Sequence, residues 1–233
     1  GHVTGVQTCA LPIFRSGMDV IELPAEGLGH RLFLDARAAA ADGIVLINRI
    51  KPHTDFHGSH ESGLANMAVI GLGKERQAFE MHRFGTHGLR NRVPVAARRL
   101  LATGRILLGI GVVENAYDET AIVEALTPAN WMERESELLE LARRSMPRLP
   151  VDDLDVLIVD RLGKEISGTG LDTNVIGRIR IENEPEPATP RIRSIVVTRL
   201  TEASHGNATG IGLADVISRP LFEQIDFGST YTN

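Results

Sequence analysis

Residues 44–61 read Ile44-Val45-Leu46-Ile47-Asn48-Arg49-Ile50-Lys51-Pro52-His53-Thr54-Asp55-Phe56-His57-Gly58-Ser59-His60-Glu61. The opening run, Ile44 to Ile47, is apolar throughout, the pattern of a strand buried on both faces in a parallel sheet. A helix-like stretch, Ala36–Ala41, precedes it. Downstream, Pro94–Leu101 reads as a helix, Ile106–Val113 as the next strand, and Trp131–Met146 as an amphipathic helix with Leu138, Leu139, Leu141 and Ala142 among Glu and Arg. Alternation of this kind predicts an α/β fold. Pro147 and Pro150 mark a break, so residues 14–150 are expected to form one unit and 151–233 a second. The second unit begins with a strand at Val156–Val159 and continues with a Gly-rich loop at 167–174. An acidic, Pro-rich loop at 183–190, a strand at Ile195–Val197 and a helix from about Leu213 complete it.

Composition narrows the classes. The chain has 233 residues, 42% hydrophobic and 24% charged, which excludes wholesale disorder, and a net charge of −5 argues against nucleic-acid binding by bulk electrostatics. No apolar run approaches the ~18 residues of a membrane span. A small-molecule partner and, by default, a cytoplasmic location are expected. The single cysteine, Cys9, forms no intramolecular disulfide. It lies in Val3–Ile13, VTGVQTCALPI, which reads as a translated sequencing adapter, so residues 1–13 are set apart as an artefact and the chain is expected to be an internal piece of a longer protein.

Five of the eight histidines, His53, His57, His60, His82 and His87, fall between positions 53 and 87. The first three follow a strand, and loops beyond strand carboxyl ends form the ligand crevice of α/β sheets. Imidazole serves there as metal ligand or as acid–base group, although H-x3-H-x2-H matches no strong zinc signature. Ile70-Gly71-Leu72-Gly73-Lys74 reads as a strand opening through a glycine turn into a helix, either a plain turn or a phosphate cradle. The loops 167–174 and 204–210 are chemically alike, small residues with hydroxyls and Asn or Asp. Ser204, His205 and Asn207 suit helix capping as well as substrate contact.

The segments INRIKPHTDFHG, ESGLANMAVIGLGK, SGTGLDTNVIGR and SHGNATGIGLAD occur in this order and together resemble the lactate-racemase-like superfamily, over nearly all of the chain from Met18 to Asn233. The resemblance is to its branch of uncharacterised racemase-domain proteins. It implies two Rossmann-like α/β domains with the site in the cleft between them, and an isomerase that racemises or epimerises a 2-hydroxy acid. It also implies a nickel-pincer nucleotide as hydride acceptor and histidines as acid–base groups. By motif position, His53 corresponds to an acid–base histidine and His82 to the nickel ligand. Gly168, Asp172 and Asn174 correspond to the second-domain motif, followed by a cationic cofactor contact at Arg178 or Arg180. Asn66 stands where the family has the lysine linked covalently to the cofactor, so that link is not expected, and Lys74 is nearby without matching the position. The partner histidine and a substrate-binding arginine fall in a segment that the chain lacks, which predicts that this piece alone is inactive. Three further readings accommodate the same residues: a metal-dependent hydrolase at His53, His57 and His60 with Glu61 as base, a non-catalytic binding relative, and an enzyme using NAD.

Overall fold

The computed structural model describes residues 15–232; the adapter-like stretch with Cys9 lies outside the described residues. In chain order the elements are β1 (Val20–Leu23), β2 (Leu32–Asp35), α1 (Ala36–Ala40), β3 (Ile44–Arg49), and α2 (Leu64–Asn66) running through a π-helical segment (Met67–Gly71) into α3 (Leu72–His82). Then come α4 (Gly85–His87), a second π-helical segment (Gly88–Arg92), α5 (Val93–Leu101), β4 (Ile106–Glu114), β5 (Thr120–Leu126) and α6 (Trp131–Ser145). The remainder is β6 (Asp153–Leu162), α7 (Thr173–Ile176), β7 (Arg191–Leu200), two 3-10 turns (Glu202–Ser204 and Ile211–Leu213), β8 (Val216–Ile217), α8 (Arg219–Gln224) and α9 (Phe227–Tyr231). The protein is mixed α/β.

Three sheets form. β1 and β2 make an antiparallel pair; β3-β4-β5 is parallel between β3 and β4 and antiparallel between β4 and β5; β6-β7-β8 is parallel throughout. The buried apolar side chains gather in two clusters. One, around Leu34, Leu46, Ile50, Trp131 and Leu138, draws on residues up to Ala142; the other, around Leu162, Ile195, Val197 and Leu221, begins at Leu162. Among the described residues, no helix is long and apolar enough to cross a membrane.

Three local expectations need correction. β3 is buried on one face only: Ile44 and Leu46 point into the core, whereas Val45 and Ile47 are 53% and 64% exposed. Val156 and Ile158 on β6 are exposed in the same alternating way. Ile70–Lys74 is not a strand and turn but part of a continuous helical stretch, broken only at Lys74, whose φ of 56° and ψ of −159° are not helical. The reason lies far away in sequence. Gly63 offers no capping side chain at the start of α2, and the buried carboxylate of Glu135 on α6 caps it instead, accepting from Ala65 N at 3.1 and 3.0 Å. A Cβ on Gly63 would overlap the Glu135 Oε1 atom, so glycine is required at this close approach. Finally, no helix starts at Leu213; a 3-10 turn ends there, β8 follows, and α8 begins after Ser218, whose hydroxyl accepts from Leu221 N.

Candidate functional site

The histidine loop is closed at its base by a bridge between Lys51 and Ser62, with Lys51 N donating to Ser62 O at 2.8 Å. Its interior is organised by one carboxylate. Glu61, 2% exposed, accepts from His53 N at 2.6 Å and Gly58 N at 2.8 Å, faces His57 Nδ1 at 3.4 Å, and pairs with Arg143 of α6. Burial pushes the Glu61 carboxyl up, but His57, the two amides and the Arg143 guanidinium outweigh it and hold it below the ordinary carboxylate value.

His53 is half-buried, with its ring 4.6 Å from that of Phe56. Its Nδ1 accepts from Asp55 N at 3.0 Å, and Nε2 has no protein partner among the described residues. Burial is the main force lowering its pKa; Asp55 and Glu61 oppose this, while His82 and Lys51 add to it.

Residues of α7 grip this loop by its backbone. Thr173 Oγ1 donates to Thr54 O at 2.5 Å and Asn174 Nδ2 to His53 O at 3.1 Å, while Asp172 caps α7 by accepting from Asn174 N at 2.9 Å. Arg90 adds a bond from Nε to His57 O at 2.7 Å and an ion pair with Glu184. Two expected positions thus meet directly, His53 and Asn174, while Asp172 holds the helix that carries Asn174. The two chemically similar loops also touch. Gly170 and Gly210 both have positive φ, and a Cβ on either would overlap a carbonyl oxygen of the other loop, Thr209 O or Thr169 O. Gly168 is exposed with open space around it.

Other expected residues are placed differently. His82 is exposed at the end of α3, its Nδ1 2.7 Å from Ala78 O. That carbonyl can only accept, so Nδ1 carries the proton and the Nε2 lone pair is left for a ligand, the state a metal-binding imidazole adopts. Asn66 has its Oδ1 buried with no hydrogen-bond partner, and Lys74 Nζ pairs with Asp35 at 3.0 Å. Arg178 and Arg180 are both committed to Asp215, at 2.7 and 2.6 Å; Arg178 also bonds Leu213 O and Ile192 O, each at 2.8 Å. They lie at the amino-terminal edge of β7, whereas the Gly-rich loops leave the carboxyl ends of β6 and β7, so these arginines clamp Asp215 at the sheet end opposite those loops. His60 is buried with both ring nitrogens engaged, Nδ1 with Ser59 and Nε2 with Met132 O, which leaves it no lone pair for a metal. His87 is exposed at the end of α4, and His205 is exposed in a left-handed conformation that ends a 3-10 turn; Ser204 bonds Thr201 O, and Asn207 bonds Thr209 and, farther along the chain, Ser229 O. Among the described residues no three His, Cys, Asp or Glu side chains group as a metal site.

Glu135, Arg143 and Asp215 emerge only from the structure. Glu135 left a trace in the sequence, a charge on the stripe 131, 135, 138, 139, 142 that is otherwise apolar. Burial pushes its carboxyl up to about 7, against the downward pull of the Ala65 and Leu64 amides and the Trp131 indole N–H. A cavity of about 420 Å³ lies beside the loop, lined by Pro52, His57, Arg143, Asn174 and Pro190; His53 and His82 do not line it. No family model matches the chain, and no curated protein matches it.

Proposed function

We propose that this protein is a relative of the nickel-pincer-dependent 2-hydroxy-acid racemases and epimerases, with two Rossmann-like domains, 14–150 and 151–233, meeting at the His53 loop, and acting in the cytoplasm. The observation that carries the proposal is that His53 and His82 each hold Nδ1 against a backbone group and leave Nε2 without a protein partner among the described residues. His82, with its lone pair available, suits the metal, and His53 suits the substrate oxygen. Thr173 and Asn174 support this, because their side chains are spent on the Thr54 and His53 carbonyls of that loop, while Asp172 caps the helix that carries them.

The residues fit the cofactor in part. His82 can coordinate nickel, and the space at Gly168 is open. Asn66, a carboxamide with an orphaned oxygen, supplies no amine for a covalent link, and Arg178 and Arg180 are occupied, so a nucleotide would be held without the covalent link and without those two arginines. When bound, that group supplies a reversible hydride acceptor. The protein's own part is to hold the 2-hydroxy acid with its oxygen at His53, on a loop whose geometry Glu61, Arg143, Thr173 and Asn174 fix.

Asn66 favours one second reading, a binding protein without turnover. The two separate on His53→Ala, assayed in the protein extended by the segment carrying the partner histidine. Loss of α-hydrogen transfer in lactate with nickel content retained supports catalysis; no transfer in either form supports the binding role.

A further inference from the structure

The connector between α6 and β6 is built as the wall of a cavity. From the end of α6 at Ser145 to the start of β6 at Asp153, every residue except Pro150 lines the space of about 420 Å³ beside the His53 loop. The facing walls are Pro52 and His57 of that loop, Asn174 and Val175 of α7, and Pro187 and Pro190 ahead of β7. The size is that of a small-molecule site, and so is the composition, an apolar lining with a few polar groups. Prolines lose no side-chain freedom when a ligand packs on them, so the walls at Pro52, Pro147, Pro187 and Pro190 are pre-formed.

Charge around this cavity is uneven. Arg143 is spent on Glu61, Glu140 and the Gly58 carbonyl, whereas Arg148, exposed at the rim, pairs with no carboxylate among the described residues. Asp152 is the one acidic residue in the lining, and it already interacts with Arg191, which offsets its charge. We infer that the cavity is a binding site for an amphipathic monocarboxylate, a small acid with an aliphatic body. Its carboxylate meets Arg148, and its chain lies along Val151, Val175 and the prolines. A cationic ligand would set like charge against Arg148, and a neutral one would leave that guanidinium unmet. Lactate has no aliphatic body to cover these walls, and neither His53 nor His82 lines them, so the site is separate from the candidate reaction site and does not rest on the function proposed above. It is still coupled to that site. Pro52 adjoins His53, and Asn174 Nδ2 donates to His53 O, so an occupant touches two residues that fix the His53 backbone and acts on that loop as an effector.

The test is titration of the full chain, labelled with ¹⁵N, with hexanoate, read by amide shifts. Val151, Asn174, Val175 and His53 should move, and affinity should rise about fourfold for each methylene added from butyrate to hexanoate, as burial of the chain requires. Arg148→Gln should weaken hexanoate binding about fivefold, and Val151→Asp, which sets a carboxylate in the apolar wall, about tenfold. Both positions are exposed, Val151 at 44%, so both variants should fold, with amide spectra unchanged away from the cavity. Hexanol or hexylamine binding as tightly as hexanoate overturns the carboxylate assignment. Affinity independent of chain length overturns the apolar wall. No shifts, shifts confined to other surfaces, or unchanged affinity in both variants overturns the site. Shifts at Val151 and Val175 that leave the His53 amide unmoved overturn the effector role.

Discussion

Two buried glutamates bracket the candidate site and behave in opposite ways. Glu61, inside the histidine loop, and Glu135, at the start of α2, are 2% and 1% exposed, and each spends its carboxylate on backbone amides. Glu61 also has the Arg143 guanidinium and the His57 ring; Glu135 has only the Trp131 indole N–H, at 2.8 Å. The first carboxyl is held below its ordinary value and the second pushed up to about 7. At Glu135 the amides and one indole N–H do not offset burial, whereas at Glu61 the His57 ring, two amides and the Arg143 guanidinium together do. The two neighbouring stretches that carry His53 and Asn66 are therefore stabilised by opposite protonation states.

The largest effect should come from removing the paired carboxylate. Glu61→Ala leaves the His53 and Gly58 amides unsatisfied and Arg143 without its partner, a loss of about 3–5 kcal/mol measurable by urea unfolding. Amide exchange should accelerate first at His53 and Gly58; unchanged exchange there would remove Glu61 as the organiser of the loop. Glu135 gives the opposite sign with pH. Its folded value lies above the unfolded 4.5, so its contribution is complete below about 4.5 and fades as pH rises through about 7, by about 3 kcal/mol. Glu61, with its depressed value, contributes above the ordinary carboxylate range and loses that contribution as pH falls. Stability measured against pH should thus decline between about 4.5 and 7 in the native chain, and Glu135→Gln should flatten that decline; a variant with the same decline would show that another group causes it.

Smaller effects separate the Asp215 clamp from the His53 loop. Asp215→Asn weakens the grip of Arg178 and Arg180 and should cost about 1–2 kcal/mol, while any ligand at the His53 loop binds as before. Reduced binding would return those arginines to the site. Gly168→Ala, with open space around it, should change stability by less than about 0.5 kcal/mol, which thermal unfolding can check.

The parts legible in the sequence were those whose causes are local. α5, β4 and α6 follow from apolar periodicity, with Pro94 at the start of α5 and Pro147 just after α6, and the His53 loop is visible as histidines after an apolar run. The parts that were not legible depend on partners distant in sequence. Ile70–Lys74 is helical because Glu135 caps α2 from α6, and Arg178 is occupied because Asp215 reaches it from beyond β7. One-sided burial of β3 was hidden because Val45 and Ile47 are apolar yet exposed. The ring states of His53 and His82 depend on single backbone contacts, with Asp55 N and Ala78 O, that no spacing rule encodes.

The most direct test of the proposed function is nickel content. The protein, freed of residues 1–13, is exposed to the nickel-pincer nucleotide, desalted, and assayed for bound nickel beside His82→Ala. The account predicts near-stoichiometric nickel that is lost in the variant. No retained nickel, or equal nickel in both proteins, would contradict it.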